Sequence, residues 1–165
     1  MVLGFEKGRV GAMRVALGSD HAGYDLKALL ALTLTGWGHE IVDLGTTDAT
    51  SSVDYPDFGE AVGRCVAEGR CDVGVAVCGS GIGVSIAANK VPGVRAALVH
   101  DATSARLARE HNHANVLCLG ARLIGESVAI DALEAWLGAT PQARHLGRIE
   151  KLHALDERSI KERLY

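Results

Sequence analysis

The sequence predicts an α/β fold, a doubly wound open parallel sheet of five strands with an extra C-terminal helix. Three observations carry this. Short uncharged runs of small and β-branched residues alternate with longer amphipathic or alanine-rich runs, in the order βαβαβαβαβα. Neither a repeat nor a linker composition breaks the 165 residues, which reads as one domain. A glycine-rich turn, Cys78-Gly79-Ser80-Gly81-Ile82-Gly83, follows the most apolar strand. In such sheets ligands bind beyond the carboxyl ends of the strands.

The elements follow in order. Met13 is a natural start for the fold, so residues 1–12 are expected to be an N-terminal extension and residues 13–165 the single domain. Met13 to Ser19 is the first strand, ending in Asp20-His21-Ala22-Gly23. A helix runs from Tyr24 to Leu34, and Gly36 and Gly38 stop it. Glu40 to Leu44 is the second strand. A polar loop through Thr46, Asp48, Ser51 and Ser52 then reaches Tyr55-Pro56, and a helix spans Asp57 to Glu68. Val73 to Val77 carries no charge and reads as a strand buried on both faces. The glycines at 79, 81 and 83 force a tight turn with exposed backbone N–H groups. A short helix over Val84 to Lys90 follows.

Arg95 to Val99 is the fourth strand, leading through His100-Asp101 into a helix that reaches Glu110. Val116 to Leu119 is the fifth, and Gly120-Ala121-Arg122 leads to an alanine- and leucine-rich helix over Gly125 to Leu137. Pro141 breaks the chain. From Gln142 to Leu164, apolar residues at 146, 149, 152 and 155 stand between charges, the spacing of an amphipathic helix. That helix is surplus to a closed fold of this size, so it is expected to pack on a partner subunit.

Composition narrows the function. Hydrophobic content of 48% and charged content of 22% are those of a globular protein, and a net charge of −3 gives no nucleic-acid or membrane surface. No apolar run approaches the roughly 20 residues that span a bilayer. Cys65, Cys71, Cys78 and Cys118 show no C-x-x-C spacing, and Met1 to Arg9 lacks the apolar core of a signal peptide. They read as reduced thiols of a cytoplasmic protein.

The glycine turn admits several chemistries. Its G-x-G-x-G spacing is not the G-x-G-x-x-G of a dinucleotide site, and Val84-Ser85 after Gly83 is not the end of a P-loop. A C-x5-R phosphatase needs arginine where Val84 stands. A lone cysteine here is most simply a buried structural residue. A glycine nest at a strand-to-helix junction shifts that balance, because such a junction binds anions and activates a thiol as base or nucleophile. Polar residues collect at the other strand ends too: Asp20 and His21, His100 and Asp101, and Arg122.

Taken together, several segments resemble one family. They are Gly18-Ser19-Asp20-His21-Ala22-Gly23, Asp54-Tyr55-Pro56, Cys78-Gly79-Ser80-Gly81-Ile82-Gly83, Ile86-Ala87-Ala88-Asn89-Lys90, Glu110-His111-Asn112, Gly120-Ala121-Arg122 and Arg144-His145-x-x-Arg148. The family is ribose-5-phosphate isomerase B, with the related galactose-6-phosphate isomerase subunits, and the match runs from Met13 to about Leu152. It implies a Rossmann-like fold and a homodimer with shared active sites, alone or as a dimer of dimers. It also implies no metal, no cofactor, and conversion of an aldose phosphate to a ketose phosphate through an enediolate, as in the pentose phosphate pathway.

The resemblance assigns roles. Cys78 is the base that moves a proton between C2 and C1. One branch of the family uses a glutamate at the position of Val84, which cannot take a proton, so the cysteine type is indicated. Ser80 and the N–H groups of Gly79, Gly81, Ile82 and Gly83 hold the enediolate, although a serine in a glycine-rich loop is often only a turn former. His111 opens the sugar ring with Asp20 as its carboxylate partner; the competing reading is a histidine answering the helix dipole.

His21, Arg144, Arg148 and Arg122 take the phosphate. Arg144 and Arg148 lie one helical turn apart, a spacing that is equally that of a solvated face. Asn112 contacts sugar hydroxyls, and Tyr55 lines the pocket or merely packs. In the shared site His111, Asn112 and Arg122 are expected to come from the partner of the chain that supplies Cys78. The expected substrate is ribose 5-phosphate. The alternatives are a four- or six-carbon aldose phosphate, such as galactose 6-phosphate or allose 6-phosphate, and a non-catalytic sugar-phosphate-binding module.

Overall fold

The structure, a computed structural model, describes residues 11–163, and side chains as far as residue 157. Apart from residues 11 and 12, the N-terminal extension lies outside the described residues. Five strands, β1 (Arg14–Ser19), β2 (Glu40–Asp43), β3 (Val73–Cys78), β4 (Ala96–Leu98) and β5 (Val116–Gly120), form one sheet in the order β2-β1-β3-β5-β4. Every pairing is parallel. The helices are α1 (Tyr24–Gly36), α2 (Tyr55–Ala67), α3 (Ile82–Ala88), α4 (Ala102–Asn112), α5 (Glu126–Gly138) and α6 (Leu146–Arg163).

Strand order dictates the layers. Right-handed crossovers place a helix on one face when the chain steps one way along the sheet and on the other when it steps back. The steps β1 to β2 and β4 to β5 share a direction, so α1 and α4 share a face, and α5 joins them. The opposite steps put α2 and α3 together on the other face.

The sequence of β3 matches these layers. Val73, Val75 and Val77 join the core under α1, α4 and α5, with Leu30, Leu34, Leu133 and Trp136. Ala76 and Cys78 face α2 and α3, beside Val62, Cys65, Val84 and Ala88. Small residues on that face let the helices come close: a Cβ on Gly74 would fall 2.6 Å from Val62. Chains leaving β1 and β3 diverge to opposite faces, which opens a crevice at their carboxyl ends.

Three helix starts differ from the sequence reading by two residues or more, and α1 runs on past Leu34 to include Gly36. α2 starts at Tyr55, because Pro56 fits the first helical turn, where no N–H is needed. α3 starts at Ile82, immediately after Gly81 turns the chain with φ +75°. A 3-10 turn over Ala143–His145 precedes α6, which begins at Leu146.

Several described residues tie α6 to its own chain. Ile149 is buried, Asp156 accepts the Gly93 N–H at 2.8 Å, and Arg95 meets His153 at 2.8 Å. Leu146, Leu152 and Leu155 stay exposed. Among the described residues no helix is long and apolar enough to cross a membrane.

Candidate active site

One group of polar residues forms at the carboxyl end of the sheet. Cys78 closes β3 opposite Gly120 of β5. Its buried Sγ accepts the Gly81 N–H at 3.1 Å, and Ser80 Oγ accepts the Ile82 N–H at 3.3 Å. The donors of Gly81 and Ile82 are therefore engaged inside the loop. Gly120 admits the loop, since a Cβ there would lie 2.5 Å from the Ser80 carbonyl oxygen.

Neighbouring elements complete this group. Tyr55 packs directly on the loop, its ring 2.5 Å from where a Cβ on Gly83 would stand. The Arg122 N–H donates to Gly79 O at 2.9 Å, and its guanidinium comes within 3.4 Å of a Cβ position on Gly79. Asp20 is buried and caps the turn His21–Gly23, accepting the Gly23 N–H at 3.0 Å. His21 Nδ1 accepts the Val53 N–H at 3.2 Å. A backbone N–H can only donate, so the neutral His21 ring carries its proton on Nε2.

A second group forms at the opposite end. His111 and Asn112 occupy the last turn of α4, which descends from the carboxyl end of β4 to the amino end of β5. The Gln142 N–H donates to Glu110 O at 2.9 Å and His113 Nε2 meets Gln142 O at 3.0 Å, joining the turn before α6 to this helix end. The His145 ring lies 4.6 Å from that of His111. Arg148 Nη1 meets His145 Nδ1 at 3.2 Å, and Arg144 Nε donates to Gln142 Oε1 at 2.8 Å.

Arg144 and Arg148 thus stand around a buried imidazole and do not share one helical face, because Arg144 belongs to the 3-10 turn. Burial holds His145 below the ordinary histidine pKa, and the charges of Arg144, His111, Arg148 and His113 add to this. Its Nε2 is buried without a partner. His145 was not among the expected site residues; its place between the two arginines of one motif was the available signal.

The two groups are separate within one chain. Asp20, His21, Tyr55, Cys78, Ser80 and Arg122 share one end of the sheet, whereas His111, Asn112, Arg144 and Arg148 share the other. α4 has 11 residues, and at about 1.5 Å per residue it spans ~16 Å between these ends. Arg122, expected beside His111, stands instead with Cys78. The other cysteines are structural. Cys65 and Cys71 face each other at 2.7 Å, with Cys71 pushed up to about 12 by burial and by Cys65. Burial raises Cys118 well above an ordinary thiol.

Comparison with known proteins gives the family. Residues 15–152 match the model of the Ribose/Galactose Isomerase family. The chain is 40% identical over 146 residues to ribose-5-phosphate isomerase B of Escherichia coli (strain K12), covering 88% of this chain and 97% of that one. The structure of ribose-5-phosphate isomerase B from Clostridium thermocellum superposes with a TM-score of 0.87 at 47% identity, covering 89% of this chain and 99% of that one. The structure of the Mycoplasma genitalium enzyme with bound ribulose 5-phosphate superposes with a TM-score of 0.84 at 39% identity, covering 87% and 96%. A fold, a glycine turn and a family model that agree over nearly the same span lead to one conclusion: the chain belongs to the ribose/galactose isomerase family.

Proposed function

We propose that the chain is an aldose–ketose isomerase that interconverts ribose 5-phosphate and ribulose 5-phosphate, at a pocket shared by the two subunits of a homodimer. One observation carries the shared pocket: the residues this chemistry needs lie at opposite ends of a single sheet. A two-fold dimer that sets the carboxyl end of one sheet against the amino end of its partner's assembles two complete sites. Exposed apolar surface on both ends supports the same assembly. Ile82 and Ile86 are exposed one turn apart on α3, beside the Cys78 loop. Val94, Ala96, Leu152 and Leu155 line a cavity of about 330 Å³ next to Asn112.

Each group then has a task. His111 of one subunit and Asp20 of the other open the sugar ring by moving a proton between the ring oxygen and the C1 hydroxyl. Cys78, as thiolate, takes the C2 proton of the open-chain aldose and returns it to C1 of the enediolate, while the Ser80 hydroxyl relays the C2 hydroxyl proton to the C1 oxygen, so that C1 becomes the alcohol and C2 the carbonyl. Ser80 and the N–H groups of Gly79, Ser80 and Gly83 stabilise the oxygen on which charge develops. His21 and Arg122 meet Arg144 and Arg148 of the other chain around the phosphate, where charge-assisted hydrogen bonds are the strong ones. Asn112 holds sugar hydroxyls. Every step is a proton transfer that these side chains supply. We place the enzyme in the cytoplasm, where free thiols stay reduced.

A coupled assay over four-, five- and six-carbon aldose phosphates tests the reading. The highest kcat/KM is expected with ribose 5-phosphate. Cys78→Ala should lose about 10²- to 10⁴-fold in kcat, the usual worth of a positioned base, while still binding substrate. Near-normal turnover in that variant removes Cys78 from the chemistry. Binding without turnover on every sugar phosphate makes the wild type a binding module.

A further inference from the structure

Lys27 on α1 is 2% exposed, yet the chemistry above gives it no task. Its ammonium spends all three protons on the last residue of β2 and the segment that follows. Nζ donates to Asp43 Oδ1 at 2.8 Å, to Asp43 Oδ2 at 2.7 Å and to Thr46 O at 2.9 Å. The same corner presses on the end of β1. Asp43 Oδ1 also accepts the Gly45 N–H at 2.9 Å, and the Thr46 N–H donates to Ser19 O at 3.0 Å. No side chain fits between them, since a Cβ on Gly45 would lie 2.6 Å from Ser19 N and 3.0 Å from Lys27 Nζ.

The rest of the segment is stiffened from within. Asp48 accepts the N–H groups of Thr50 at 2.8 Å and Ser51 at 3.0 Å, besides both hydroxyls. Those bonds, from the Ser51 hydroxyl first, hold its carboxyl well below the usual carboxylate range. The segment ends where the Val53 N–H meets His21 Nδ1. Burying an ammonium costs more than burying an apolar side chain of the same length, so stability alone does not call for lysine here.

We infer that Lys27 is a positioning residue: its clamp on Asp43 and Thr46 sets the 43–53 segment so that the Val53 N–H fixes the His21 ring, with Nε2–H left as the donor to phosphate. This rests on the reading of His21 as a phosphate ligand. Lys27 itself touches no substrate.

Lys27→Met keeps the stem and removes the clamp, and Asp43 is half exposed, so its carboxylate passes to water. Two measurements are made on the whole protein: two-bond 1H–15N correlations of the His21 ring, and inhibition of turnover by inorganic phosphate. The wild-type ring should show the single Nε2–H tautomer. In Lys27→Met the ring should become a mixture of tautomers. KM and the phosphate inhibition constant should rise about tenfold, the worth of one weakened charge-assisted hydrogen bond, with kcat within about twofold.

A variant with lower Tm but an unchanged His21 tautomer and unchanged phosphate inhibition overturns the inference, since a merely structural lysine would behave so. His21→Ala separates the underlying reading: if it binds phosphate like wild type while Lys27→Met still frees the ring, the positioning stands and the ligand role of His21 falls. Should Lys27→Met not fold, Asp43→Asn weakens the same clamp from its exposed side and is read by the same two measurements.

Discussion

Cys78 differs from the other three cysteines in what surrounds its sulfur, not in depth. All four are buried, but only Cys78 lies at a strand end beneath a turn that sends it a backbone N–H. This was legible in the sequence, because three glycines after an uncharged strand leave little else for the chain to do. Lys27 was not legible: a lysine in a helix reads as solvated, and only the fold shows that it turns inward. Two glycines test the close packing. In Gly120→Ala the new Cβ meets the Ser80 carbonyl oxygen at 2.5 Å, backbone against side chain with nothing flexible to yield. It should cost about 1–3 kcal/mol in chemical denaturation and lower kcat, as the catalytic loop shifts. Gly36 closes α1 with nothing within 4 Å of its would-be Cβ. Gly36→Ala should therefore stabilise by about 0.5–1 kcal/mol, measured the same way, with kcat unchanged. Equal stability for both variants would mean that the loop relaxes away from Gly120.

At the scale of elements, the order and type of every strand and long helix followed from alternation and periodicity, while starts were missed where backbone geometry decides them. Gly81 and Gly83 read as one turn, yet only Gly81 takes a left-handed φ, so α3 begins between them. The strand order, with β5 inside and β4 at the edge, has no local signal. Neither has the tie between the end of α4 and the turn before α6, which is made by one backbone bond and the His113 ring and builds the His111–His145 cluster. That cluster carries a pH dependence. Burial, then the surrounding cations, lower the His145 pKa in the folded state. The unfolded chain then binds more protons over the range between the two values. Stability from this group is full above the unfolded histidine value of about 6.5 and falls as pH drops toward the folded one. Denaturation of the wild type should show this loss as pH falls through and below about 6.5, and His145→Gln should flatten it. A slope unchanged in the variant would assign the acid limb to other groups.

For the whole molecule the question is which chain completes which pocket, and the placement of Arg122 sharpens the test. Sequence resemblance grouped Arg122 with His111 and Asn112, but its backbone bond to Gly79 puts it with Cys78. Consider two inactive variants mixed under conditions that exchange subunits, with exchange confirmed by mass-tagged chains. In a mixed dimer of Cys78→Ala and His111→Ala, one pocket collects both defects and the other collects none. Random exchange makes half the dimers mixed, so activity should recover to about a quarter of wild type. Cys78→Ala mixed with Arg122→Ala should recover nothing, because each pocket then takes its carboxyl-end group from one defective chain or the other. Arg122→Ala mixed with His111→Ala should recover like the first pair, on top of whatever activity Arg122→Ala retains by itself. Recovery in the second mixture would move Arg122 back across the interface. No recovery in the first, with exchange demonstrated, would mean that Cys78 and His111 never meet in one pocket across two chains. The ~16 Å of helix between them in a single chain would then leave His111 with no part in ring opening.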